Sequence, residues 1–139
     1  MADIYSKKKR SEVMALIRGR GTKFENKGFL ILRRAGLVYR KHPKGIQGRP
    51  DAANKRRRIA VFFDSDFWHG YDYERALKSK LRDGYWQKKI ERNIRRDKEV
   101  TRELRKQGWT VIRLWGHDIL KKSERCTRIV RRRLAENRK

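Results

Sequence analysis

The stretch Gly48-Arg49-Pro50-Asp51-Ala52-Ala53-Asn54-Lys55-Arg56-Arg57-Arg58-Ile59-Ala60-Val61-Phe62-Phe63-Asp64-Ser65-Asp66-Phe67-Trp68-His69 decides the fold. Gly48 and Pro50 read as a turn into a strand edge, which puts Asp51 at a strand start. Residues 58–63 form a short apolar run of β-branched and aromatic side chains, suited to a central strand covered on both faces. Asn54-Lys55-Arg56-Arg57 is the basic hairpin turn between the two. The end of the apolar run returns Asp64, Asp66 and His69 toward Asp51. In a basic chain, carboxylates gathered near one histidine are suited to holding a divalent cation beside a phosphate.

Upstream, residues 37–41 read as a strand followed by a Pro43-Lys44-Gly45 turn. Thr22-Lys23-Phe24-Glu25 opens a helix with Phe24, Gly28, Ile31, Leu32 and Ala35 at helical spacing and Gly36 as its stop. Thr22 and Glu25 satisfy a T-x-x-E capping box, which accounts for a glutamate there without catalysis. Further back, Ser11 caps a short helix over residues 11–18 with Met14 and Ile17 on one side, after the basic run Lys7-Lys8-Lys9-Arg10. Such an arm can lie on DNA, or its apolar side can pack on the body.

Downstream, residues 70–85 are polar, basic and aromatic, a loop or short helix over the site. Residues 86–107 are helical, with Trp86, Ile90, Ile94, Asp97, Thr101 and Leu104 at steps of three and four, and Gly108 stops the helix. Residues 109–115 are the last strand, and a final helix runs from Lys121 or Ser123 to about Glu136. The order is helix, three strands, helix, strand, helix. That is an α/β sandwich with a mixed sheet, in which a hairpin and a crossover helix share one core.

The 139 residues fit a single domain, with residues 1–20 as a basic N-terminal arm and helix. Lys and Arg number 41 against 16 Asp and Glu, a formal charge of +25, so a polyanion and above all nucleic acid is the expected partner. A membrane surface is the rival polyanion, but no apolar stretch is long enough to span a bilayer and no secretory h-region follows Met1. One cysteine, Cys126, makes neither an internal disulfide nor a thiolate zinc site, which suits a reduced cytosol. The basic ends, residues 7–10 and 131–139, are expected to be mobile without a ligand.

A lone Asp or His is weak evidence, since an Asp near a turn usually caps and a His in an aromatic segment usually packs. The spacing of these acids is similar to the way nucleases of the restriction-endonuclease fold place their metal carboxylates. The Asp/Glu-x-Lys signature of that superfamily is missing, because no lysine follows Asp64 or Asp66 at the second position. His69 can take the base role instead, as an imidazole with a reference pKa of roughly 6.5 is largely neutral at cytosolic pH.

The sequence closely resembles one family, the very short patch repair (Vsr) endonucleases, which nick DNA beside a thymine–guanine mismatch. The resemblance runs from Met1 to Trp115. It rests on Gly48-Arg49-Pro50-Asp51, Phe67-Trp68-His69, Trp86 with Lys89, Asn93 and Asp97, and Gly108-Trp109 followed by a strand ending in Trp115.

The resemblance implies a restriction-endonuclease-like fold and a magnesium-dependent nicking endonuclease. Asp51 is then the metal carboxylate, the backbone carbonyl of Phe63 a second protein ligand, and His69 the general base. Glu25 resembles a family glutamate that orders metal-bound water, and Asp64 stands where family members carry His or Asp. Phe67, Trp68 and Trp86 match an aromatic wedge pushed into the base stack, although isolated aromatics are mostly core residues. Lys89 and Asn93 share a helix face that could meet phosphates, and Arg49 and Met14 join the expected DNA contacts. Duplex DNA with a mismatch is the implied substrate, cut by a monomer at the nucleoid in the cytoplasm, with mismatch-repair proteins as possible co-workers.

The chain departs from the family at a structural zinc that several members hold. The corresponding positions read Tyr71, Tyr73 and His117, with only Asp97 kept, and one carboxylate, one histidine and two neutral tyrosines do not hold zinc tetrahedrally. No zinc is expected. Two alternatives remain open on sequence: a nuclease of the same fold that cuts another DNA substrate, and a non-catalytic basic DNA-binding protein.

Overall fold

The computed structural model describes residues 23–64 and 85–137, without the side chains of residues 85–87. The Ser11 helix, Met14, the basic run 7–10, Asp66, Phe67, Trp68, His69, Tyr71 and Tyr73 lie outside the described residues.

Among the described residues eight elements follow in chain order: α1 (Lys23–Arg34), β1 (Arg40–Lys41), β2 (Ala52–Asn54), β3 (Ile59–Asp64), α2 (Tyr85–Lys106), β4 (Thr110–Trp115), α3 (Gly116–Lys121) and α4 (Ser123–Asn137). The four strands make one mixed sheet in the order β1-β2-β3-β4. β1 pairs antiparallel with β2 and β2 with β3, whereas β3 and β4 run parallel, with Val61 opposite Ile112 and Asp64 opposite Trp115. A parallel pair needs a crossover, and α2 supplies it.

The period of two along β3 divides its side chains between two cores. Ile59, Val61 and Phe63 face one core with Phe29, Ile31 and Leu32 of α1, Ile119 of α3, and Cys126, Val130 and Leu134 of α4. Ala60 and Phe62 face the other, with Val100 and Leu104 of α2. All six residues of β3 are buried, the consequence of helices on both faces. The architecture is therefore an α/β fold with a mixed sheet between helical layers, consistent with the restriction-endonuclease-like fold that the resemblance implies. Among the described residues no helix is long and apolar enough to cross a membrane.

Both glycine stops act as C′ residues. Gly36, at φ +87°, lets Leu37 N–H reach back to Leu32 O, and Gly108, at φ +89°, lets Trp109 N–H reach Leu104 O. The first of these shortens the strand expected over residues 37–41 to Arg40–Lys41, because Leu37 closes the helix instead of starting a ladder. Arg58, expected in the central strand, sits in the hairpin turn at φ +55°, and β3 begins at Ile59. The short helix α3 was not foreseen.

The basic C-terminal segment is also more ordered than its charge suggested. Residues 131–137 continue α4, whose Asn137 amide donates to Arg57 O and Thr110 Oγ1, while the Arg57 guanidinium donates to Leu134 O.

Candidate active site

Asp51 is set by the tight loop before it. Gly48 and Arg49 both lie at positive φ, +81° and +53°, and Arg49 N–H donates to Ile46 O, which folds the chain into the buried Pro50 and delivers Asp51 to the end of β2. Asp51 N–H donates to Val61 O, and its Oδ2 accepts the Phe63 N–H at 2.7 Å. The carboxylate is thereby fixed against the C-terminal end of β3. Burial pushes its pKa up to about 6, opposed by the Phe63 hydrogen bond; Glu25 and Asp64 raise it further and His42 lowers it.

Glu25 reaches the same place from the opposite layer. It lies in the first turn of α1 and is only 4% exposed. One turn on, Gly28 carries no side chain, and a Cβ there would stand 2.7 Å from the Phe63 ring. The missing side chain lets α1 settle on β3 close enough to bring Glu25 beside Asp51. Thr22 of the expected capping box lies outside the described residues.

The third member was missed in the sequence reading. His42 follows β1 at φ +45°, donates its backbone N–H to Asp51 O at 2.8 Å, and holds Nε2 3.4 Å from Glu25 Oε1. Its ring stands edge-on to Phe29 at 5.9 Å. Donor atoms of Glu25, His42 and Asp51 all lie within 4.8 Å of one another. The chain has only three histidines, and one next to a proline between a strand and the Asp51 loop was the available signal.

Asp64 is near enough to push the Asp51 pKa up, but its carboxylate is bonded on the other face of the sheet. Its Oδ1 accepts from Arg113 Nη1 at 2.9 Å, and that guanidinium also donates to Thr101 Oγ1 and the Asp97 carbonyl while covering the Phe62 ring at 4.1 Å. The pleat explains the separation: Asp64 follows Phe62 on the α2 side of β3, whereas Phe63 faces α1. Asp64 also borders a cavity of about 720 Å³ with Asp97, Thr101, Arg105, Arg113 and Trp115, and Glu25, His42 and Asp51 take no part in it.

The remaining expected contacts are spread along the surface. Arg49 and Lys89 are exposed, and half-buried Asn93 accepts from Arg96 Nη2 at 2.6 Å. Trp86 lies in the first turn of α2, its side chain outside the description. Of the positions compared with the zinc ligands, Asp97 lies 3.8 Å from Arg113 Nη1, and His117 lies 3.3 Å from Asp118 and stacks on Trp115. Cys126 is buried in the core, which pushes its thiol up to about 11 and leaves it unreactive.

Residues 2–75 match the family described as DNA mismatch endonuclease Vsr. A type II nicking enzyme of Neisseria meningitidis serogroup C is 41% identical over 93% of this chain and 88% of its own length. A type II nicking enzyme of Haemophilus parainfluenzae is 39% identical over 86% and 85%. The DNA mismatch endonuclease Vsr of Escherichia coli K12 is 31% identical over 83% of this chain and 74% of its own.

Proposed function

The chain belongs to the Vsr DNA mismatch endonuclease family and is a DNA endonuclease, and from that premise we propose that it nicks one strand of duplex DNA beside a mispaired base of thymine–guanine type, with magnesium held at Asp51. The observation that carries this reading is the convergence of Glu25, His42 and Asp51 donors within 4.8 Å. Two largely buried carboxylates and an imidazole at that spacing form a donor set suited to a divalent cation, and such a charge would offset the burial that raises Asp51.

When bound, the cation supplies positive charge at the scissile phosphate and acidifies water. Asp51 has Oδ1 to offer, because Oδ2 is held by the Phe63 amide. In an extended strand the N–H and C=O of one residue point to the same edge, so the Phe63 carbonyl is turned toward Asp51 as well. Glu25, fixed in the first turn of α1, orders water at the same place. His69 takes the proton from the attacking water as its oxygen bonds to phosphorus and one P–O ester bond breaks, the departing oxygen taking up a proton. His69→Ala is expected to lose about 10²-fold in single-turnover rate with duplex affinity unchanged, and wild-type activity should fall as acid protonates the base. A variant with an unaltered rate would assign the proton transfer to another group.

Substrate choice comes from Phe67, Trp68 and Trp86. Forcing rings between base pairs costs a few kcal/mol of unstacking, least where pairing is already imperfect, so a wedge converts weak pairing into selectivity. The +25 charge gives every duplex a salt-sensitive background affinity. Trp68→Ala or Trp86→Ala should leave affinity for paired DNA nearly unchanged and lower the mismatch preference. Neutralising Lys7, Lys8, Lys9 and Arg10 should weaken both duplexes alike and flatten the salt dependence. Binding to matched and mismatched duplexes at two salt concentrations tests this; tryptophan variants that lose both equally would mean that the rings are core packing.

One observation favours a second reading: relatives of higher identity than the Escherichia coli enzyme are named type II nicking enzymes. Equal nicking of paired and mispaired duplexes would support it.

A further inference from the structure

We propose that His42 is a ligand of the catalytic cation, and that its imidazole makes the site bind Mn²⁺ in preference to Mg²⁺. The inference rests on Asp51 holding that cation and adds to it the identity of a third donor and the metal class it selects.

The geometry is built from three directions. The positive φ of His42, +45°, ends β1 and turns the side chain out of the ladder, while its N–H stays bonded to Asp51 O. Phe29 fixes the ring from the side, its centroid 5.9 Å away and its plane at 88°. Nε2 is left aimed at Glu25 Oε1, 3.4 Å distant, with an Asp51 oxygen completing a set no wider than 4.8 Å. Ligands about 2.1 Å from an octahedral cation stand roughly 3 Å apart when adjacent and roughly 4.2 Å apart when opposite, so this set needs only small closure to share one ion. The His42 side chain is 27% exposed against 5% for Glu25, which leaves the nitrogen side of the site the more open one.

Chemistry then separates the metals. Mg²⁺ is a hard cation that takes oxygen donors and keeps much of its water, so it binds through the carboxylates and gains little from an imidazole. Mn²⁺ and the later divalent ions gain from nitrogen, and a mixed nitrogen and oxygen set raises their affinity relative to Mg²⁺. A His42 that ligates the cation differs from one that only pairs with Glu25 in placing a nitrogen on the metal.

The experiment is pulsed EPR and binding titration of Mn²⁺ on the DNA-free full chain. His42→Asn is the informative variant, because Asn tolerates φ +45° and keeps the N–H bonded to Asp51 O. Wild type should show a directly coordinated ¹⁴N and bind Mn²⁺ at least about tenfold more tightly than Mg²⁺. The variant should lose the ¹⁴N coupling and about tenfold or more in Mn²⁺ affinity, with Mg²⁺ affinity changed less than about threefold. Mn²⁺ bound without nitrogen coupling, or coupling that survives in His42→Asn, overturns the proposal. Asp51→Asn separates the two levels of the argument. If it abolishes Mn²⁺ binding while wild type shows no nitrogen, the cation site stands and His42 is excluded; if Mn²⁺ binds it as tightly as wild type, the cation is not at Asp51 and both fail.

Discussion

Asp51→Asn is expected to lower the nicking rate by about 10³-fold or more, several kcal/mol of transition-state stabilisation, while duplex affinity holds or tightens. Asn can still accept the Phe63 N–H through its amide oxygen, so the loop and the end of β2 keep their geometry. What disappears is the negative charge that holds the cation. The same charge faces incoming phosphate, so its removal favours DNA binding as it stops the chemistry.

The raised pKa of Asp51, about 6 against an ordinary 3.8, gives this variant a second signature. Between about pH 4 and pH 6 the folded protein keeps a proton that the unfolded chain has already released. Stability from this group therefore falls as pH rises through that window, by up to about 3 kcal/mol, and is flat above it. In metal-free buffer Asp51→Asn should melt above wild type at pH 8, with the gap closing toward pH 4. Mg²⁺ should raise the wild-type Tm and leave the variant unmoved. A variant less stable than wild type at pH 8 would mean that the ionised carboxylate is satisfied by the fold alone.

The largest stability effect is expected at Gly48, three residues before Asp51. It lies at φ +81°, where an L side chain costs about 1 kcal/mol, and a Cβ built there stands 2.4 Å from Val100 Cγ1. Val100 cannot swing aside, since it is β-branched, helical and 7% exposed, and overpacking of this kind costs about 1–3 kcal/mol. Gly48→Ala should therefore cost about 3 kcal/mol, a fall in Tm on the order of 10 °C for a domain of this size. Gly45→Ala is the control, with φ +82° and nothing within 4 Å of the added methyl, and should cost only the conformational part. Equal melting of the two variants would show that the loop before Asp51 yields to the methyl.

The parts of the fold that were legible in sequence had a local physical cause. The apolar run of β3, the glycine stops at Gly36 and Gly108 and the period of α2 each appear where their residues demand. The errors arose where a residue serves a neighbour. Leu37 is apolar and β-compatible, yet it closes the Schellman turn of α1 because Gly36 precedes it. Residues 131–137 look like a solvated basic tail, yet Val130, Leu134 and Asn137 hold the helix on the sheet.

The candidate site divides in the same way. Asp51 was readable from a turn, whereas the helix start alone marked Glu25 as a cap and only the family resemblance drew it into the site. His42 was not readable, because its importance depends on a positive φ and on a loop that folds back over nine residues, neither of which leaves a periodic trace. Asp64 looked like a partner of Asp51 because the two are close in the motif, but the alternation of β3 sends it to Arg113. The roles of His69, Trp68 and Trp86 rest on family resemblance and are proposals tested by the variants above.

The most direct test of the account is a single-turnover assay with both strands labelled, on a duplex carrying one T:G mispair and on its fully paired counterpart, in Mg²⁺ and in EDTA. The account predicts a nick in one strand of the mispaired duplex, only in Mg²⁺, with the paired duplex left intact. Nicking in EDTA, or equal nicking of both duplexes, would contradict it.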